Sequence, residues 1–167
     1  MRSYSIPNYI RYKDSLKVKL KALPDKPYNE YTRNELIVKF LPLVENLARK
    51  FPSGQQASGI MNIMDFIQEG SKGLTRAVDR IDWHRLMQSD DIEKSLKSFL
   101  AKRIRGAIRR GIDANRGTMR IPEHKLNEIR RDFGKDRKAV EMFFNSIFLS
   151  IDVPSDDTDM VYDIPDK

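Results

Sequence analysis

The sequence predicts an all-α protein, on three observations. Apolar residues recur at helical spacing through most of the chain, and no short segment alternates apolar and polar residues as a half-buried strand would. Only eight Gly and eight Pro occur in 167 residues, which leaves long stretches free of backbone breakers. The expected architecture is a compact helical bundle with an N-terminal basic arm (1–31), a main helical domain (32–120), short further helices (121–149) and an extended acidic tail (150–167).

Each element follows from its own pattern. Tyr9, Tyr12, Leu16, Leu20 and Leu23 give the arm a helical period that stops at Pro24, and 25–31 looks like a linker. A first secure helix is expected from about Thr32 to Phe51. Thr32 and Glu35 have capping-box spacing, and Leu36, Phe40, Val44, Leu47 and Phe51 recur on one face. Pro42 should kink or split it, because a mid-helix proline removes one backbone bond. Residues 52–60 form a loop. The second helix is expected from about Ile63 to Ile81, with Ile67, Leu74, Val78 and Ile81 inward. Its Gly70 and Gly73 each cost about 1 kcal/mol relative to Ala, which points to close approach of another helix. Residues 82–93 read as a polar connection in which Trp83, the only tryptophan, anchors the core.

Composition excludes several classes. There is no cysteine, so disulfides and thiolate chemistry are out, and His84 and His124 lack partners at metal-ligand spacing. No apolar run approaches a membrane span, and none near Met1 would serve as a secretory signal, so a soluble intracellular protein is expected. No catalytic constellation occurs, and the protein is not expected to be an enzyme. No cofactor or metal is expected, since the carboxylates near the C-terminus lack calcium-loop spacing.

The net charge of +7 is unevenly placed. Residues 94–120 carry nine Lys/Arg against Asp113 alone, residues 150–167 carry six Asp against Lys167, and the first 26 residues carry seven bases against two acids. The third helix, expected from about Lys94 to Asp113, concentrates this asymmetry. At about 100° per residue, Lys102, Arg103, Arg105, Arg109 and Arg110 share one face, with Phe99 among them. Leu96, Leu100, Ile104, Ile108 and Ile112 fill the opposite arc. A solvated face usually interleaves glutamate at i,i+4, yet no acid occurs from Lys94 to Ile112. Such a face fits a polyanion: guanidinium forks grip phosphate, and an aromatic ring among cations suits base stacking. The pattern by itself does not choose between DNA and RNA.

Taken together, the motifs resemble the sigma-70 family of RNA polymerase sigma factors. The run Met64-Asp65-Phe66-Ile67-Gln68-Glu69-Gly70, continuing through Gly73-Leu74 to Ala77-Val78-Asp79-Arg80-Ile81, is similar to the family's second region. So are Leu43-Val44 through Phe51, Arg103-Ile104-Arg105-Gly106-Ala107, and Thr118-Met119-Arg120-Ile121-Pro122 with His124. Ser150-Ile151-Asp152-Val153-Pro154 with Asp156 and Asp157 resembles the acidic finger that enters the polymerase active-site cleft. Two departures stand out. Lys102 and Arg103 occupy the positions of the paired tryptophans of primary sigma factors, and Gly106 and Arg109 those of the residues that read the −10 element.

The resemblance implies a factor that docks on the clamp helices of the largest subunit of core RNA polymerase through Asp65, Gln68, Glu69 and Lys72. Promoter DNA would meet Phe99, Lys102, Arg103, Arg105, Arg109, Arg110, Arg116, Arg120 and Lys125. Asp152, Asp156, Asp157 and Asp159 would form the finger. A sequence with the finger and no fourth, −35-reading region resembles the late-transcription factors of T4-like tailed phages, which implies a −10-like element as the promoter signal and a sliding clamp or coactivator as a further partner. Two other readings stay open: a helical nucleic-acid-binding protein that needs no polymerase, and a polymerase-docking inhibitor.

Overall fold

The structure, a computed structural model, describes residues 5–51, 61–115, 117, 120–131, 136–138, 141 and 143. Six α-helices occur among them: α1 (Ser5–Lys21), α2 (Arg33–Ala48), α3 (Ile63–Val78), α4 (Trp83–Met87), α5 (Ile92–Asn115) and α6 (Glu123–Arg131). A 3-10 turn, Tyr28–Glu30, precedes α2, and the described residues contain no strand. The all-α expectation holds.

Caps set where the central helices begin. Thr32 and Glu35 form the expected capping box: the Thr32 amide donates to Glu35 Oε2 at 2.8 Å, and the Glu35 amide donates to Thr32 Oγ1 at 3.4 Å. A second box, not anticipated from the sequence, starts α3. Asn62 Oδ1 accepts from the amides of Met64 and Asp65, and Asp65 Oδ2 accepts from the Asn62 amide at 2.8 Å. Pro42 lies inside α2 without splitting it. Its missing N–H removes one bond, but the flanking Phe40 and Val44 are both buried and hold the helix to the core.

Helix α3 packs against α5, and α2 contacts both. Leu96, Leu100, Ile104 and Ile108 of α5 are all fully buried, each contributing about 1.5–3 kcal/mol of transfer free energy. The α3–α5 contact is close because Gly70 and Gly73 make it so. A Cβ at Gly70 would come within 3.3 Å of Ile108 Cδ1 of α5, and 2.6 Å of Val44 Cγ1 of α2, and one at Gly73 would collide with Ala107 Cβ of α5. Arg33 closes the far end, its guanidinium bonded to both Asp79 oxygens at 2.5 and 3.0 Å.

The expected arm contains a helix that is packed on α2 and α3. Leu16 is buried, and the Tyr9 hydroxyl donates to Glu45, a carboxylate only 7% exposed. Residues 82–93 are not a plain connection: they contain α4, because the Asp82 side chain accepts from the Arg85 amide and nucleates a short turn of helix. Trp83 is half-buried against the core, as an anchor should be. Helix α5 starts two residues earlier than expected, with the Asp91 side chain accepting from the Lys94 amide. The loop 52–60 and the acidic segment 150–167 lie outside the described residues.

Candidate nucleic-acid interface

Helix α5 is two-faced. Leu96, Leu100, Ile104, Ile108, Gly111 and Ile112 are buried, while Lys102, Arg103, Arg105, Arg109 and Arg110 are all exposed. None of these five cations forms an ion pair with another described residue. The acids of α5 stand at its two ends, Glu93 in the first turn, where it pairs with Lys97, and Asp113 in the last. Lys97, with help from Tyr28, holds the Glu93 carboxyl below its ordinary value. Burial first, and then Glu93, pushes the Tyr28 phenol up to about 12. The charge of the next three turns is left to face outward, and like charges crowded on one face repel unless a polyanion meets them.

Phe99 sits at the edge of this face. It is half-buried, packed against the core, and the Arg103 guanidinium lies over its ring at 5.4 Å from the centroid. Phe99 also lines a cavity of about 400 Å³ between α4 and α5, together with Arg80, Ile81, Arg85, Leu86 and Ser95. Arg85 was not anticipated from the sequence, because a polar connection carries no period, and Arg80, inside the expected second helix, was not read as part of a site. The capping residue Asp82, three positions before Arg85, was the available signal.

The remaining expected DNA contacts are less uniform. Arg120 is exposed beside Arg110, Asp113 and Glu123 at the α5–α6 junction. Lys125 already has a partner: its Nζ lies 2.9 Å from Glu128 Oε2, and that carboxylate raises the Lys125 pKa. Arg116 lies outside the described residues, as do the finger carboxylates Asp152, Asp156, Asp157 and Asp159.

The expected docking residues all lie on α3, but the structure gives them different jobs. Gln68 and Lys72 are exposed, whereas Asp65 is half-buried and commits one oxygen to the Asn62 cap. Glu69 packs its stem against Gly111 of α5 and accepts from Lys72 Nζ at 2.6 Å. Among the described residues no group of His, Cys, Asp or Glu could hold a metal ion, and no helix is long and apolar enough to cross a membrane.

The chain thus carries an exposed arginine-rich helix, locked by glycines onto the helix that contains Asp65, Gln68 and Glu69. Its curated relatives are RNA polymerase sigma factors. The chain is similar to the RNA polymerase principal sigma factor HrdD of Streptomyces coelicolor, 32% identical over 118 residues, which is 71% of this chain and 31% of that protein. It is 32% identical over 139 residues to the HrdD protein of Streptomyces viridifaciens, covering 77% of this chain and 38% of the relative. The RNA polymerase sigma factor SigA of Mycoplasma genitalium is 28% identical over 107 residues, 64% of this chain and 19% of that protein. The chain therefore spans between 19% and 38% of the length of these sigma factors. No family model matches it.

Proposed function

We propose that the protein is a sigma-type initiation factor: it docks on core RNA polymerase through α3 and presents the cationic face of α5 to promoter DNA. The observation that carries this reading is the uncompensated row of Lys102, Arg103, Arg105, Arg109 and Arg110, opposite an apolar face that fixes the helix against α3. The sigma-factor relatives support polymerase as the partner. In this reading the arginines grip phosphates, while Phe99, stacked under Arg103 at the mouth of the cavity, holds a base of the opened strand. Promoter choice rests on a −10-like element. The factor serves late genes of a phage in the bacterial cytoplasm, with a sliding clamp or coactivator assisting recruitment. It performs no chemistry of its own.

Run-off transcription with bacterial core polymerase on a mixed promoter library tests the proposal. Adding the protein should select a discrete set of start sites sharing a short upstream element. Unchanged start sites, combined with a specific complex on naked duplex, would assign the chain to polymerase-independent nucleic-acid binding. Stable docking with loss of all initiation would make it an inhibitor.

A further inference from the structure

A base stacked on an aromatic ring needs only an open platform. Phe99 instead borders a cavity of about 400 Å³ between α4 and α5, within the range of about 300–1,000 Å³ that takes in a whole small ligand. The walls of this cavity divide by chemistry. Half-buried Phe99, Ile81 and Leu86 make an apolar side. Ser95 also lines it, one helical turn before Phe99 on the same side of α5, and its hydroxyl bonds no other described residue. Ser89 offers nothing further, because its hydroxyl already donates to the Leu86 carbonyl at 2.6 Å.

The charged side comes from two separate elements. Arg80 follows α3 in a turn held by its own amide, which donates to the Ala77 carbonyl at 3.0 Å. Arg85 belongs to α4, where its amide donates to Asp82 Oδ1 at 3.2 Å. Both side chains are exposed, both line the cavity, and neither forms an ion pair with another described residue. Asp82 is the one acid of the lining, so one carboxylate stands against two guanidinia and the cavity is net positive. None of Lys102, Arg103, Arg105, Arg109 and Arg110 lines it. The cavity therefore has cations of its own, apart from the row that faces a nucleic-acid backbone.

An apolar wall with an aromatic ring, a free hydroxyl beside it and two guanidinia on one cavity match a base that carries a chain of phosphates. The ring side suits the base, and guanidinium forks suit phosphate oxygens. An inorganic anion would leave the apolar side unused.

We propose that the cavity between α4 and α5 is a binding site for a free nucleoside di- or triphosphate, with the base against Phe99 and the phosphates on Arg80 and Arg85, and that its occupant competes with single-stranded DNA for Phe99. The site itself is independent of the sigma-type reading. The competition rests on that reading, which makes Phe99 the contact of the opened strand.

Isothermal titration of the full-length chain with ATP and GTP, and separately with tripolyphosphate and with adenosine, tests the site. Nucleotide should bind one to one and at least about tenfold tighter than either half alone, because linked groups add their binding energies. Arg80→Ala and Arg85→Ala should each weaken nucleotide at least about tenfold, the loss of one charge-assisted hydrogen bond, with melting temperature unchanged. Phe99→Leu should weaken nucleotide at least about fivefold and leave tripolyphosphate unaffected. Arg49→Ala removes an exposed arginine at the end of α2, off the cavity, and should stay within about twofold of the parent. Equal weakening by Arg49→Ala, or tripolyphosphate bound as tightly as ATP, would reduce the site to net positive charge and overturn the inference. So would the absence of saturable nucleotide binding below about 1 mM.

A labelled single-stranded promoter oligonucleotide, without polymerase, distinguishes a free nucleotide from one within a strand. Its displacement by ATP or GTP, and not by tripolyphosphate at the same concentration, supports the competition. Loss of oligonucleotide binding in Arg80→Ala and Arg85→Ala, with no binding of free nucleotide to the parent, would give the cavity to the strand and refute the proposal. Nucleotide binding that leaves the oligonucleotide in place would keep the site but remove the competition, and with it the placing of a strand base on Phe99.

Discussion

The stem of Glu69 rests directly on Gly111: a Cβ added at Gly111 would come within 2.6 Å of Glu69 Cγ and 3.2 Å of its Cβ. A residue of the expected docking run is thus seated on the helix that carries the cationic face. The absence of a side chain at Gly111 is what lets the two surfaces share one wall.

Gly111→Ala should separate stability from docking. Alanine gains about 1 kcal/mol of helix propensity, while the flexible Glu69 side chain can swing aside at a comparable cost. Chemical denaturation should therefore change little. Polymerase affinity should fall, because the displaced carboxylate also gives up Lys72. Affinity equal to the parent's would show that the seat of Glu69 is irrelevant to docking.

Gly73→Ala should behave differently. There an added Cβ meets Ala107 Cβ and, at 3.4 and 3.5 Å, the Arg103 carbonyl oxygen and the Ile104 Cα, none of which can rotate away. The expected destabilisation is about 1–3 kcal/mol despite the propensity gain, seen as a lower denaturant midpoint with an unchanged slope. A variant as stable as the parent would mean that α3 and α5 can slide apart at little cost.

On the cationic face, replacing Lys102, Arg103 and Arg105 by Ala should reduce transcription more than polymerase binding. Removing one phosphate-binding cation should lower the slope of log affinity against log salt by about 0.7 to 0.9. Arg103→Lys isolates the stacking on Phe99: the salt slope should hold while affinity for single-stranded promoter DNA drops, since lysine keeps the charge but not the planar face. An Arg103→Lys variant with parental single-strand affinity would limit Arg103 to charge.

Stability should fall at both ends of the pH scale. Lys26 foremost, then the Thr32 amide, holds Glu35 down at about 2 against an ordinary 4.5. A lowered carboxylate favours the folded state above its unfolded pKa, so this contribution is complete at neutral pH and disappears as pH falls from about 4.5 towards 2. Asp79 and Glu93 are lowered as well and act with the same sign. Burial pushes Tyr12 up to about 12 from an ordinary 10, so its neutral form favours folding below pH 10, and that contribution disappears between 10 and 12. Denaturation midpoints against pH should show Glu35→Gln without part of the acid-side dependence and Tyr12→Phe without part of the alkaline side. Parallel curves for Glu35→Gln and the parent below pH 4.5 would remove Glu35 from the acid transition.

Much of this is legible in the sequence because helices advertise themselves through nearest-neighbour periods. The 3.6-residue recurrence of Leu96, Leu100, Ile104 and Ile108 places the buried side of α5, and with it the outward cations. Gly70 and Gly73 foretell close packing because a glycine inside a helix is otherwise costly. What escapes the sequence is short or non-local. Helix α4 spans five residues, too few for a period, and the second role of Asp65 depends on Asn62 being a cap. Spacing also puts Asp65, Gln68 and Glu69 on one helix edge without showing that Glu69 is wedged against another helix.

By itself, then, the sequence determined which residues face the core and which face water along each helix, because that choice depends on spacing and polarity within one element. It determined in the same way that α5 carries charge its own helix does not neutralise. Only the tertiary structure decided which helix each face meets. That α1 folds back through Tyr9 and Lys13 onto Glu45, that Tyr12 thereby walls a groove along α3, and that Phe99 borders a cavity built by α4 all depend on residues far apart in the chain coming together. Such pairings are set by the shape and volume left between packed helices, and no local period encodes them.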